Sequence, residues 1–285
     1  MGGCSGVLSI ECGGGLFIRV GWSYGRVIRA TIMVMVVHRF FDPDLPSDLV
    51  VGLCYVVGGG EAQHGVLVKR LRVGEEVAIV NGKGLVAGGV VEEVGRRPAC
   101  VVVNVRSVER VERRGVELCV ACAVPKGGRA DQLVDQLSQV GVWRWQPIVC
   151  ERSVVKPRGG KVEKWRRVAV ESMKQSGRAY VMEVGGVVGF EEALREAGSV
   201  AGGVVYVGDQ RGERFGGCDV ITEAGCLPEV VTIFIGPEGG FTEGEIDMAV
   251  GESIGGRLVC LGEYTMRIET AAVVGAGIIV NGMKE

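Results

Sequence analysis

Val230-Val231-Thr232-Ile233-Phe234-Ile235-Gly236-Pro237-Glu238-Gly239-Gly240 decides how the second half of this chain is read. Its first six residues are all β-branched or aromatic. Such a run suits a strand buried on both faces, the habit of parallel sheets covered by helices. The glycines that follow end the strand and let backbone amides and carbonyls come close to a ligand, at the edge where open α/β sheets hold one. Thr242-x-x-Glu245 then supplies a capping box for the next helix. The loop is not the dinucleotide G-x-G-x-x-G, and it lacks the Lys-Ser/Thr of a phosphate-binding P-loop. A mere tight turn is the competing reading, because the chain carries 48 glycines in 285 residues.

Strands and helices alternate on both sides of this stretch. Residues 116–124 and 147–149 read as strands, as do 204–207 and Arg257–Cys260. Residues 131–140 read as a helix with Leu133, Val134, Leu137 and Val140 on one face. Lys161–Ser176 reads as another, with Trp165, Ala169, Ser172 and Met173 inward and basic residues outward, and residues 269–280 close the chain as a third. This order predicts a mostly parallel sheet with helices on both faces. Loops 208–212 and 261–267 also follow strands. If the strands are parallel, all three loops meet at one edge and form a pocket of backbone groups beside Arg267 and Glu269.

The first half reads differently. Residues 1–34 are Gly-rich without clear periodicity and are expected to form a poorly ordered extension. Residues 35–107 hold short β-rich runs at 66–68, Glu76–Val80, 85–94 and 100–105, with Asn81-Gly82 as a hairpin signal. A small β-barrel is expected there. The charged run 109–114 suggests a linker over residues 108–115, leaving 116–285 to the α/β domain.

Bulk chemistry narrows the function. The net charge of −2 conceals a partition: residues 144–178 carry ten Lys or Arg against three Asp or Glu, while 181–285 carry six against seventeen. The basic stretch suggests a local polyanion contact, with a solvated helix face as the alternative. Ten cysteines lack paired spacing; Cys119 and Cys122 read as small core residues, and a reducing cytoplasmic compartment follows. No His/Cys/Asp cluster has metal spacing, so no metal is expected. The longest uncharged apolar run, residues 270–283, is too short for a bilayer, and no membrane association is expected.

Taken together, Ile235-Gly236-Pro237-Glu238-Gly239-Gly240-Phe241-Thr242-x-x-Glu245-Ile246, Leu261-Gly262 and Arg267-x-Glu269-Thr270-Ala271 resemble the ribosomal RNA small-subunit methyltransferase E (RsmE) family of the SPOUT superfamily. Collinear similarities extend the resemblance from about Val37 onward: His38-Arg39-Phe40-Phe41, His64 with Leu71-Arg72-Val73-Gly74, Lys126-Gly127 with Arg129, Glu151-Arg152-Ser153 and Gln175-Ser176-Gly177-Arg178. The resemblance implies a PUA-like β-barrel followed by a trefoil-knotted α/β methyltransferase domain that binds S-adenosylmethionine and forms a homodimer. The implied reaction is N3 methylation of a uridine in 16S ribosomal RNA of the small subunit. Gly208, Asp209, Ile235, Gly236, Pro237, Glu238, Gly239, Gly240, Leu261, Gly262 and Met266 are then expected at the cofactor. Arg267 and Glu269 are expected at the chemistry, as the cation facing the uracil oxygens and the acceptor of the N3 proton, with a structural Arg267–Glu269 ion pair as the alternative. Arg72, Lys126, Arg129, Arg152 and Arg178 are expected on RNA. Some positions depart from the family's habit: Gly262-Glu263-Tyr264 stands where Gly-Pro-Arg is usual, and Ile268 where Thr is usual. Two other readings compete, a non-catalytic RNA-binding ribosome assembly factor with the same fold and a nucleotide hydrolase using the glycine loops.

Overall fold

The buried β-branched runs pair as a parallel sheet in the computed structural model, which describes residues 7–12, 16–21, 37–113, 115–157, 159–216 and 228–282. Two compact units divide the chain, one of residues 1–40, 48–79 and 87–108, the other of residues 41–47, 80–86 and 109–285. Strands β1 (Val7–Cys12) and β2 (Leu16–Gly21) pair antiparallel. They fall within the segment expected to be poorly ordered, and the rest of residues 1–34 lies outside the described residues.

The small β-domain has five strands, β3 (His38–Phe41), β4 (Cys54–Val57), β5 (Glu76–Val80), β6 (Leu85–Arg96) and β7 (Ala99–Arg110), in the order β3-β5-β6-β7-β4. Burial alternates with period two along the first halves of the two long strands: Leu85, Ala87 and Val91 on β6 and Val101, Val103 and Val105 on β7 face inward. The Asn81-Gly82 hairpin is built as its chemistry demands, with Asn81 Oδ1 accepting from the amides of Lys83 at 2.8 Å and Leu85 at 2.9 Å. Residues 66–68 are not a strand. Helix α1 (Gly59–Gln63) runs on into a π-helical turn, His64–Lys69. Ala62 and Val66, four residues apart, are the buried side chains, while Leu67 and Val68 are exposed. Three apolar residues cannot separate a period of two from one of 3.6. The expected linker also begins inside β7, which runs to Arg110.

In the larger unit the elements are β8 (Glu117–Ala123), α2 (Arg129–Val140), β9 (Arg144–Val149), α3 (Lys161–Ser176), β10 (Glu183–Val184), β11 (Val188–Gly189), α4 (Phe190–Gly198), β12 (Val204–Arg214), β13 (Val230–Ile235), α5 (Glu243–Val250), β14 (Arg257–Cys260) and α6 (Ile268–Gly282). The sheet order is β10-β9-β8-β13-β12-β14 with β11 also on β9, and every pairing is parallel. Helix α2 packs against α3 and α6, and α6 lies on β8 and β13; α4 packs on β9, β12 and α5. Both faces are therefore covered, as the alternation of elements required. The core closes around Trp145, which donates from Nε1 to Cys122 Sγ at 3.0 Å and meets Trp165 edge to face. Burial pushes the thiols of Cys119, Cys122 and Cys150 up to about 12, so they behave as core residues.

Residues 208–212, expected as a loop, belong to a bulge within β12. Its pairing with β14 jumps from Gly208↔Val259 to Glu213↔Val259. A Cβ on Gly212 would sit 2.4 Å from the Leu258 carbonyl carbon, so only glycine permits this approach.

Candidate functional site

Because β13, β12 and β14 are adjacent and parallel, their carboxyl ends share one rim. The segments leaving them enclose a cavity of about 430 Å³, within the range of small-molecule sites. Each of the eleven residues expected at the cofactor, from Gly208 to Met266, lines it. Sequence reasoning missed Gln210, Arg211, Cys260, Tyr264, Thr265, Ile268 and Ala271, which line it too. Most are neighbours of the expected residues in the same segments; Ile268 and Ala271 enter because the first turn of α6 forms a wall.

The glycine loop is held from several directions. Gly240 takes φ +69° and donates to the Pro237 carbonyl at 2.8 Å, closing a tight turn. Thr242 and Glu245 form the reciprocal capping box expected of them, and Glu245 also accepts from the Glu151 amide at 2.9 Å. Arg152 Nη1 donates to the carbonyls of Gly239 at 2.9 Å and Phe241 at 3.3 Å. Arg129 reaches Glu269 at 3.0 Å and Glu238 at 3.9 Å, joining the loop to α6. On the β12 bulge, Arg211 bonds Asp209 and Glu243. That guanidinium holds the Asp209 carboxyl below the usual carboxylate range, against the opposing effect of its burial.

Polar side chains around the cavity are thus largely paired with one another. What remains for a ligand is main chain from the three crossings and apolar wall from Ile235, Leu261, Met266 and Ile268. The glycine surfaces are close-fitting: a Cβ would stand 2.9 Å from Ile235 Cδ1 at Gly208 and 2.7 Å from Met266 Cε at Gly262. A flat heteroaromatic group with a polar tail fits this lining, so the residues suit S-adenosylmethionine.

Arg267 and Glu269 line a separate depression of about 350 Å³ with Arg129, Gln132 and Gln136, although Met266 and Ile268 beside them line the first cavity. The Arg267–Glu269 ion pair, the alternative to a site role, does not form. Glu269 is buried, with Oε1 on Arg129 and Oε2 without a hydrogen-bond partner. Arg267 is exposed.

Three arginines expected on RNA make bonds to groups of their own chain. Arg129 and Arg152 brace the glycine loop as described. Arg178 donates to the carbonyls of Ser138 at 2.6 Å and Val142 at 3.0 Å, at the end of α2. Burial, assisted by the positive Arg113, lowers its pKa to about 10. Arg178 is thus partly withdrawn from solvent, whereas Arg152 stays exposed while its guanidinium bonds the loop carbonyls. Four of the ten basic residues of the stretch pair with carboxylates: Arg144 with Glu196, Lys164 with Asp131, Arg166 with Glu163 and Lys174 with Glu171. Arg72 and Lys126 are exposed. Among the described residues no group of three or more His, Cys, Asp or Glu could hold a metal, and no helix is long and apolar enough to cross a membrane.

A family model described as an RNA methyltransferase domain matches residues 112–280, and one described as an RNA methyltransferase PUA domain matches residues 57–104. The chain is 26% identical over 208 residues to the ribosomal RNA small subunit methyltransferase E of Synechocystis sp., spanning 73% of this chain and 66% of that protein. It is 28% identical over 246 residues to the protein of that name from Aquifex aeolicus, spanning 86% and 99%. A Legionella pneumophila structure in complex with the bound cofactor SAM is similar at a TM-score of 0.70 and 25% identity, over 85% of this chain and 96% of that one.

Proposed function

The chain belongs to the RNA methyltransferase family, in the branch of the ribosomal RNA small-subunit methyltransferase E proteins, and from that premise we propose that it methylates N3 of one uridine in 16S ribosomal RNA. Its fold is that of the family, a PUA-like β-barrel and a SPOUT α/β domain. The observation that carries the activity is the single cavity where three parallel strands end in glycine-rich main chain.

Bound there, S-adenosylmethionine would supply an electrophilic methyl group on a sulfonium centre. The chain's own part is positioning and electrostatics, with no covalent enzyme intermediate required. Main-chain groups of residues 236–240 and 261–262 orient the cofactor, and Ile235, Leu261 and Met266 exclude water. Uridine N3 must lose a proton, and the resulting charge spreads to O2 and O4. We assign Arg267, an exposed cation one residue beyond the cavity lining, to stabilise those oxygens. Glu269 Oε2, which no protein donor engages, is assigned to accept the proton. Arg72 and Lys126 remain assigned to RNA phosphate.

Finer features belong to the same proposal: a trefoil-knotted thread through the α/β domain, domain limits of 35–107 and 116–285 around a linker, a cytoplasmic location and a homodimer. The dimer is supported by α6, whose residues Val273, Val274, Gly277 and Ile278 form a half-buried apolar stripe at helical spacing.

The test is to incubate the purified chain with unmodified small subunits and S-adenosylmethionine, then map methylated nucleotides by mass spectrometry. One 3-methyluridine in 16S RNA is expected. RNA binding without any methyl product would establish the non-catalytic assembly factor instead.

A further inference from the structure

Tyr264 sits in the segment that leaves β14, where it lines the mouth of the cofactor cavity. It is nevertheless 77% exposed, the one exposed Phe, Trp or Tyr side chain among the residues whose burial is described. Phe, Trp and Tyr make up only 6% of the chain, and the others whose burial is described are buried or half-buried. Among the described residues no ring stacks on Tyr264 and no group hydrogen-bonds its hydroxyl. An aromatic ring left in water adds nothing to the stability of the fold.

The backbone around it is braced while the ring is left out. Gln210 Nε2 donates to Thr265 Oγ1 at 2.9 Å on one side, and Cys260 Sγ donates to the Gly262 carbonyl at 3.2 Å on the other. Both bonds tie the segment to β12 or β14, so the ring's place at the mouth is set by the sheet. Three residues on, Arg267 is exposed.

A flat face near the cation assigned to the uracil oxygens suits a nucleobase of the RNA substrate. Proteins recognise single-stranded RNA by stacking unpaired bases on aromatic side chains, and a base to be modified must first leave its stack. We propose that Tyr264 is a stacking platform for an unpaired nucleobase of the RNA substrate at the cavity mouth, and so a specificity-determining residue. The assignment rests on the proposed methyl transfer only for the identity of the RNA.

The experiment measures the Kd of a 16S RNA fragment and the Kd of S-adenosylmethionine separately, for the wild type, Tyr264→Ala and Tyr264→Phe. Loss of one stacked base should weaken RNA binding about tenfold in Tyr264→Ala. Tyr264→Phe keeps the ring and should restore it to within about twofold by the same stacking argument. Cofactor affinity should fall less than RNA affinity, since the ring is 77% exposed at the mouth, and the salt dependence of RNA binding should keep its slope, because stacking releases no counterions. Unchanged RNA affinity in Tyr264→Ala would overturn the proposal. Equal loss of cofactor affinity would overturn it too, by making the ring a cover for the cofactor. RNA binding is read without turnover, so the result stands apart from whether the wild type transfers a methyl group.

Discussion

Arg152 and Arg178 carry the same charge, and each is committed to carbonyl oxygens of its own chain. Arg178 lies at the end of α2, where unpaired carbonyls carry partial negative charge. Arg152 instead holds Gly239 and Phe241, two positions of the loop that shapes the cavity. A charge-assisted bond of this kind at an exposed site contributes about 1 kcal/mol. Arg152→Ala should therefore weaken S-adenosylmethionine binding about fivefold by calorimetry while leaving the salt slope of RNA binding unchanged. A slope shallower by about one, with cofactor affinity intact, would return Arg152 to the RNA surface. The glycines of the cavity were legible in sequence because a strand ending in glycine has few uses. The arginines were not: composition counts charges, and only tertiary packing decides whether a cation meets Glu196, a loop carbonyl or solvent. Tyr264 was visible as a departure from the family's habit, but its exposure depends on how the segment is braced.

At the scale of elements, strength of local signal separates what sequence showed from what it hid. Helix α3 forms over Lys161–Ser176 as read, with Trp165, Ala169, Ser172 and Met173 buried, because the amphipathic period recurs over more than one turn. Strand β13 likewise forms over Val230–Ile235 as read. The three-residue run 66–68 held too little periodicity and became part of a helical turn. Helix α4 went unread although Phe190, Ala193, Leu194 and Ala197 carry helical spacing. The β12 bulge depends on Gly212 meeting Leu258 across strands, a long-range contact that local pattern cannot report. The capping box of α5 is local and was read in full. Thr242→Ala should cost about 1 kcal/mol in urea unfolding, with Thr242→Ser recovering most of it. No loss of stability in Thr242→Ala would mean that the Glu245 side chain alone holds the helix start.

For the whole molecule, the order β13-β12-β14 is what turns three separate sequence signals into one site. The parallel arrangement was inferable from alternating elements; the neighbour relations were not, because β12 precedes β13 in the chain yet lies between it and β14. The apolar stripe on α6 is the surface through which two copies would meet. Ile278→Glu should shift the sedimentation of the protein from dimer to monomer, and an unshifted dimer would place the interface elsewhere. Methyl transfer by this chain requires the cavity at that rim to hold the cofactor. Ala271, on the first turn of α6, lines it without any special backbone requirement, so Ala271→Phe adds bulk there while sparing the glycines. Calorimetric titration with S-adenosylmethionine should show one site per chain in the wild type and at least about a hundredfold weaker binding in Ala271→Phe with its circular dichroism unchanged, as overfilling a close-packed site requires. No binding by the wild type, or equal binding by the two proteins, would contradict it.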